Sequence, residues 1–357
     1  MSEPSLEPSL ELSPPPEVVP YQPPLVFIKN ACLLHDPGNL QDRGGLKIPE
    51  RPERLRSVNA GVASLYARLE ECFLESSSDP GPSQVGSLPP PIQIVRSTAK
   101  VESFTEHPAT KDVMHIQKDG NLGERTYAEE LPLLCEQSGA KIEAGGREIP
   151  ESWEPDLYLC PGTLEAVKGA LGTVCQAVDE VTAASRGEVK FEDFDPSSLA
   201  EAMADSPQPT KAFAAIRPPG ELCVSDTPAG RGLVNNVAVA AMHAFEQHSF
   251  RLIVIFDIDL YYGKGTHDFA TEVNRQAADI SREGGTLPRI FYGGLHDVSV
   301  YPCTRERNYR ATGAQQGIIG DWYANVALFD DEDGVGSEDF ELAYIRYLHL
   351  LWEAQDS

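Results

Sequence analysis

The sequence predicts an α/β domain with a mainly parallel sheet and helices on both faces, and three observations predict it. Short apolar runs alternate with helical repeats over most of the chain. One run, Arg251 to Leu260 (RLIVIFDIDL), is apolar without interruption up to Asp257, the pattern of a strand covered on both sides. Leu164, Val167, Leu171, Val174, Val178 and Val181 step by three and four, which lays one apolar stripe along a helix.

Residues 1–24 are rich in Pro, Glu and Ser and are read as a disordered acidic tail, leaving 25–357 as the domain. Pro24 to Lys29 (PLVFIK) reads as a strand. Leu55, Val58, Val62, Leu65 and Leu69 then mark an amphipathic helix, begun near Arg51-Pro52 and expected to pack on the sheet. Ile92 to Ser97 is a strand after a turn-rich loop, and the polar stretch to Pro155 carries little pattern. The helix of the Leu164 stripe is entered through Pro161-Gly162-Thr163, and the acidic segment from Gly187 to Thr210 reads as a loop. A strand (Lys211 to Pro218), a helix (Val234 to Phe245), the apolar strand, a helix from about Asp268, a strand (Arg289 to Gly294) and a C-terminal helix from Glu338 complete the order.

Charge narrows the function. With 29 Lys plus Arg against 55 Asp plus Glu, the chain carries a formal charge of −26, which argues against direct nucleic-acid binding. No run reaches the roughly 18 apolar residues of a membrane span, and the first residues lack the basic and apolar parts of a secretory signal. The 7 cysteines are scattered without a CxxC pair, against a disulfide framework or a cysteine zinc module. The nucleus or cytoplasm is the expected location. The 8 histidines show no HxH or HExxH spacing and are read as surface or core residues.

Ligands of open α/β sheets bind beyond the carboxyl ends of strands, where Asp257 and Asp259 stand two apart with Tyr261 next in the row and Gly263 and Gly265 at the exit. Two readings remain open from spacing. The pair is a cation site, or one Asp caps the next helix while the other forms an edge salt bridge. RPPG (Arg217 to Gly220) is a rigid turn after a strand, and Asn235-Asn236 opens a helix.

In this order, IRPPGELCVSDTPAGRGLVNNVAVAAMHAF, IFDIDLYYGKGT and IFYGGLHDVSVYPC resemble the core of the histone deacetylase family, and most its fungal class II-type branch. IPERPERLRSVNAGVASLYARLE and DLYLCPGTLEAVKGALGTVCQAVDEV match the same branch upstream. The resemblance implies a three-layer arginase/deacetylase-like fold and zinc-dependent removal of an acetyl group from lysine. It also implies a structural potassium ion, with Asp257 the position for it, and acetylated histones or other acetyl-lysine proteins as partners.

Carried over position by position, the resemblance breaks at the chemistry. The two proton-transferring histidines after RPPG are Glu221 and Leu222 here, and Glu221 is expected to face Asp257, forcing one carboxyl pKa up or recruiting a cation. The Asp zinc ligand is matched by Asp259, but the histidine ligand and its neighbour are Tyr261 and Tyr262, and a phenol with a pKa near 10 is a poor zinc ligand at neutral pH. The Gly-Phe-Cys wall of the substrate channel is matched by Gly230, Arg231 and Gly232. The family's second zinc-binding Asp and oxyanion-stabilising Tyr find no match after Cys303, so the domain is expected to be incomplete at its C-terminus. The expectation is a catalytically impaired deacetylase-like scaffold, a binding protein in an acetyl-lysine or chromatin setting. The alternative is an active metallohydrolase with Asp257, Asp259 and Glu221 as oxygen ligands, suited to Mg²⁺ or Mn²⁺. A third reading, a decayed product that does not fold stably, predicts aggregation of the isolated chain.

Overall fold

The computed structural model describes residues 23–38, 48–76, 90–113, 125–185, 211–259, 261–282, 285–297, 318–320 and 323–328. Residues 1–22 of the tail, the Gly187 to Thr210 segment, Tyr301-Pro302 and the residues expected to form a C-terminal helix lie outside them. β1 (Leu25–Ile28) is flanked by β2 (Gln93–Arg96) and β3 (Ala212–Ala215), both parallel to it, in the order β2-β1-β3. A second sheet has the order β4-β5-β7-β6, built from β4 (Leu252–Asp257), β5 (Arg289–Asp297), β6 (Ile318–Gly320) and β7 (Tyr323–Leu328). Its β4, β5 and β7 are parallel, and β6 pairs antiparallel with β7.

Parallel neighbours need crossovers of about a dozen residues or more, and helices supply them. α1 (Pro52–Ser76) joins β1 to β2, α2 (Tyr127–Glu143) and α3 (Thr163–Ser185) lie between β2 and β3, α4 (Asn236–His248) joins β3 to β4, and α5 (Lys264–Arg282) joins β4 to β5. The main core gathers Tyr127 and Leu131 of α2, Val167 and Leu171 of α3, Val239 and Met242 of α4, Phe269 and Val273 of α5, and Ile290 and Tyr292 of β5. α3 is sunk further than its stripe requires. A Cβ at its Gly172 would stand 2.3 Å from the Lys100 Cα, so only glycine lets that backbone approach so closely.

Three expectations change. The central sheet is divided into two among the described residues, although its strands are mainly parallel as expected. β4 is not covered on both sides: Leu252, Val254 and Phe256 are 61%, 48% and 45% exposed, while Ile253 and Ile255 of the other face meet the core. An apolar run is compatible with a buried strand without proving two-sided cover. α1 meets the domain through its first turn, where Leu55 joins Cys32, Ala170 and Ala215, whereas Val58 and Leu65 are exposed.

Three elements are not legible in the sequence pattern. α2 lies in the stretch read as patternless, yet Thr126 and Glu129 form a reciprocal capping box at its start. That T-x-x-E spacing is the available signal, and Pro132 within the helix and the small buried residues Ala128, Cys135 and Ser138 obscure the rest. β6 and β7, between the strand at Arg289 and the helix expected from Glu338, are the others.

Candidate functional site

RPPG is set by an anchor below the surface. The buried Arg217 guanidinium donates to Glu50 Oε1 at 2.7 Å, to the Cys32 carbonyl at 2.7 Å and to Tyr158 Oη at 3.1 Å. Asn236 Nδ2 donates to the Pro218 carbonyl at 3.1 Å, and the Leu233 amide to the Pro219 carbonyl at 3.1 Å, so the turn is tied to the start of α4. Asn235 caps α4 by accepting from the Ala238 amide at 2.9 Å and reaches Thr266 Oγ1 at 3.1 Å. Gly220 has no alternative, since a Cβ there would meet the Val234 carbonyl oxygen at 1.8 Å. The two best-matched words of the sequence thus form one clamp holding the β3–α4 loop against α5.

The clamp places the candidate residues around a pocket of about 110 Å³, lined by Arg54, Asp156, Pro219, Glu221, Leu222, Gly230, Arg231, Asp259 and Tyr261. Asp257 and Tyr262 do not line it. The Glu221 carboxylate accepts from the Gly220 amide at 3.0 Å. Burial raises its pKa, and the negative charges of Asp259 and then Asp257 push the same way. Glu221 thus feels both carboxylates, Asp259 ahead of Asp257, whose own oxygens are engaged by Tyr292 and the Asp259 amide.

Asp257 Oδ2 accepts from Tyr292 Oη at 2.9 Å and Oδ1 from the Asp259 amide at 3.1 Å. Burial raises the Asp257 pKa against the opposing effect of these bonds. Both oxygens have protein partners, so a cation is not needed to satisfy this carboxylate. Gly263 packs on it so closely that a Cβ would lie 1.9 Å from Oδ2. β4 ends at Asp257, so Asp259 and Tyr261 do not continue one strand row. The Asp257 and Asp259 side chains instead accept from the amides two residues on, Asp259 at 3.1 Å and Tyr261 at 3.4 Å, turning the chain away from the sheet.

Arg231 has a left-handed backbone, φ 70°, beside Gly230 at φ 58°. Its guanidinium is drawn to Asp156 Oδ2 at 3.2 Å, and the Gly230 amide donates to Glu154 Oε2 at 3.1 Å. The substrate-channel position is thus filled by an ion pair with a residue 75 positions away. Tyr262 is buried and shares a 2.8 Å hydrogen bond with His267 Nδ1. The sequence does not single out Tyr292, Asp156 or His267, because their partners are chosen by the fold and not by local spacing.

The pocket does not fit zinc. Its donors are the carboxylates of Glu221, Asp259 and Asp156 and the Tyr261 phenol, with no imidazole or thiol, and buried Leu222 offers no donor at all. Among the described residues, three-donor groups with ligand atoms within 4.8 Å of one another arise elsewhere, as His107–Cys175–His243 and Asp179–His243–His248. Local spacing gives no sign of these groups, since their members meet only in space.

A family model for the histone deacetylase domain matches residues 95–354. The chain belongs to the histone deacetylase family. Within that family, it is 28% identical over 266 residues to histone deacetylase HOS3 of Saccharomyces cerevisiae, covering 71% of this chain and 31% of the yeast protein. It is 32% identical over 160 residues to histone deacetylase 14, chloroplastic, of Arabidopsis thaliana, covering 45% of this chain and 30% of that one. The chain spans about a third of the length of these relatives. The crystal structure of the HDA15 HD domain superimposes with a TM-score of 0.50 at 18% identity, covering 86% of this chain and 63% of that one, which shows the arginase/deacetylase-like fold. Members of this family are generally zinc-dependent.

Proposed function

We propose that this histone deacetylase domain is a catalytically impaired scaffold that binds protein partners and does not hydrolyse acetyl-lysine through zinc. The observation that supports the reading is the pocket itself: its lining keeps Asp259, which matches the family's Asp ligand, but has Glu221, Leu222 and Tyr261 where the family has proton-transferring and zinc-binding histidines. Hydrolysis needs a metal with an open position, a base and an oxyanion donor acting as a unit, so loss of several parts removes most of the rate. The acetyl-lysine setting, with acetylated histones or other acetylated proteins as partners in the nucleus or cytoplasm, follows from the family membership and belongs to the same proposal.

A second reading is favoured by one observation, the raised pKa of Glu221 in a pocket shared with Asp259. It is a hydrolase using oxygen ligands and Mg²⁺ or Mn²⁺. The test is turnover of acetyl-lysine peptides by the full chain with Zn²⁺, Mg²⁺ or Mn²⁺, beside Asp259→Ala. No metal-dependent turnover is expected. Turnover that Asp259→Ala abolishes would overturn the scaffold reading and establish the second.

A further inference from the structure

We infer that His107, Cys175 and His243 form a zinc site between α3, α4 and the segment before α2, with Asp179 and His248 beside them, made of residues separate from the pocket. Cys175 and Asp179 are four apart on α3 and hence on one face, while His243 and His248 come from the last turns of α4, the helix packed along α3. His107 arrives from the turn after Phe104–Glu106, where the Thr110 and Lys111 amides both donate to its carbonyl at 2.9 Å.

The donor chemistry selects the ion. A thiol and imidazoles are ligands that zinc favours, and softer than anything in the pocket. The ligand atoms of His107, Cys175 and His243 lie within 4.8 Å of one another. Bonds of about 2.0–2.3 Å in a tetrahedron place donors about 3.3–3.8 Å apart, so modest side-chain rotation closes the site. Asp179 Oδ1 lies 2.8 Å from His243 Nε2 and 2.7 Å from His248 Nε2, the carboxylate–imidazole contact that orients metal-ligating histidines.

Zinc takes neutral imidazoles and a thiolate, so binding releases protons and tightens as pH rises.

Cobalt titration of the chelator-treated full chain tests the site, because a thiolate–cobalt charge-transfer band reports the cysteine directly. One equivalent should bind with that band, and zinc should displace it. Cys175→Ser should abolish the band, His243→Gln should weaken binding by about tenfold or more, and Asp259→Asn should leave both unchanged. A cooperatively unfolding chain without the band, a band that survives Cys175→Ser, or one lost in Asp259→Asn would overturn the assignment. If Cys175→Ser does not unfold cooperatively, the double variant His107→Gln/His248→Gln decides by the same titration: loss of one-equivalent binding sustains the site and retention sinks it.

Discussion

Glu221 shows how far one residue can be read. Its place in the pocket is legible from RPPG, but its neighbours are not: Asp259 acts on it ahead of Asp257, which is bound to Tyr292, 35 residues away. Such partners depend on how β4 and β5 pair, which no local spacing encodes. Because the folded pKa of Glu221 is raised, the native state holds its proton more tightly than the unfolded chain. Its contribution to stability is therefore fully present below the ordinary glutamate range and is lost as pH rises through the folded value. Glu221→Gln keeps an acceptor for the Gly220 amide and removes the charge. It should raise stability at neutral pH by on the order of 1 kcal/mol and flatten the pH dependence of urea midpoints from the ordinary carboxylate range upward. An unchanged or lower midpoint at neutral pH would show that the ionised carboxylate is not strained there. Gly263→Ala has the opposite sign, since its methyl would occupy the Asp257 Oδ2 position. A loss of about 1–3 kcal/mol in urea unfolding is expected, and a neutral variant would mean that the exit loop yields freely.

Elements whose stripe faces one core are legible, as α3 is from Leu164 to Val181. α2 is not, because its buried face uses Ala128, Cys135 and Ser138 and its interior carries Pro132. Its capping box is an independent handle. Thr126 accepts from the Glu129 amide, and the Glu129 carboxylate accepts from the Thr126 amide at 2.8 Å. Thr126→Ala should cost about 1 kcal/mol in denaturant unfolding, and no cost would mean that packing of Tyr127 and Leu131 alone sets the helix start. The β3–α4 connection rests on a stronger interaction, the buried ion pair beneath it. Arg217 and Glu50 are 4% and 1% exposed, and removing Arg217 leaves the buried Glu50 carboxylate with only the exposed Arg54 guanidinium as its cation. Arg217→Ala should cost about 3–5 kcal/mol and, by releasing the RPPG turn, perturb the pocket together with the fold. The proof is a parallel loss of unfolding midpoint and of near-ultraviolet dichroism, and a variant that keeps both would demote the anchor to a surface contact.

At the scale of the molecule, 55 acidic residues face 29 basic ones, and the excess of −26 is a property of the chain that no single contact reveals. Local ion pairs such as Arg275 with Glu272 and Asp279 oppose the self-repulsion, but solvent screens them and each contributes little. Added sodium chloride screens attraction and repulsion alike, shrinking the Debye length from about 30 Å at 0.01 M to about 3 Å at 1 M. Exposed pairs in contact lose little, whereas repulsion summed over many charges farther apart is nearly removed. Net screening should therefore stabilise, and the thermal midpoint should climb between low salt and about 0.5 M and then level off. Sodium sulfate would confound this through its exclusion from the surface, so chloride is the informative salt. A falling midpoint would mean that ordered ion pairs outweigh the net charge, and a flat one that the acidic residues are already too far apart in the folded chain to repel.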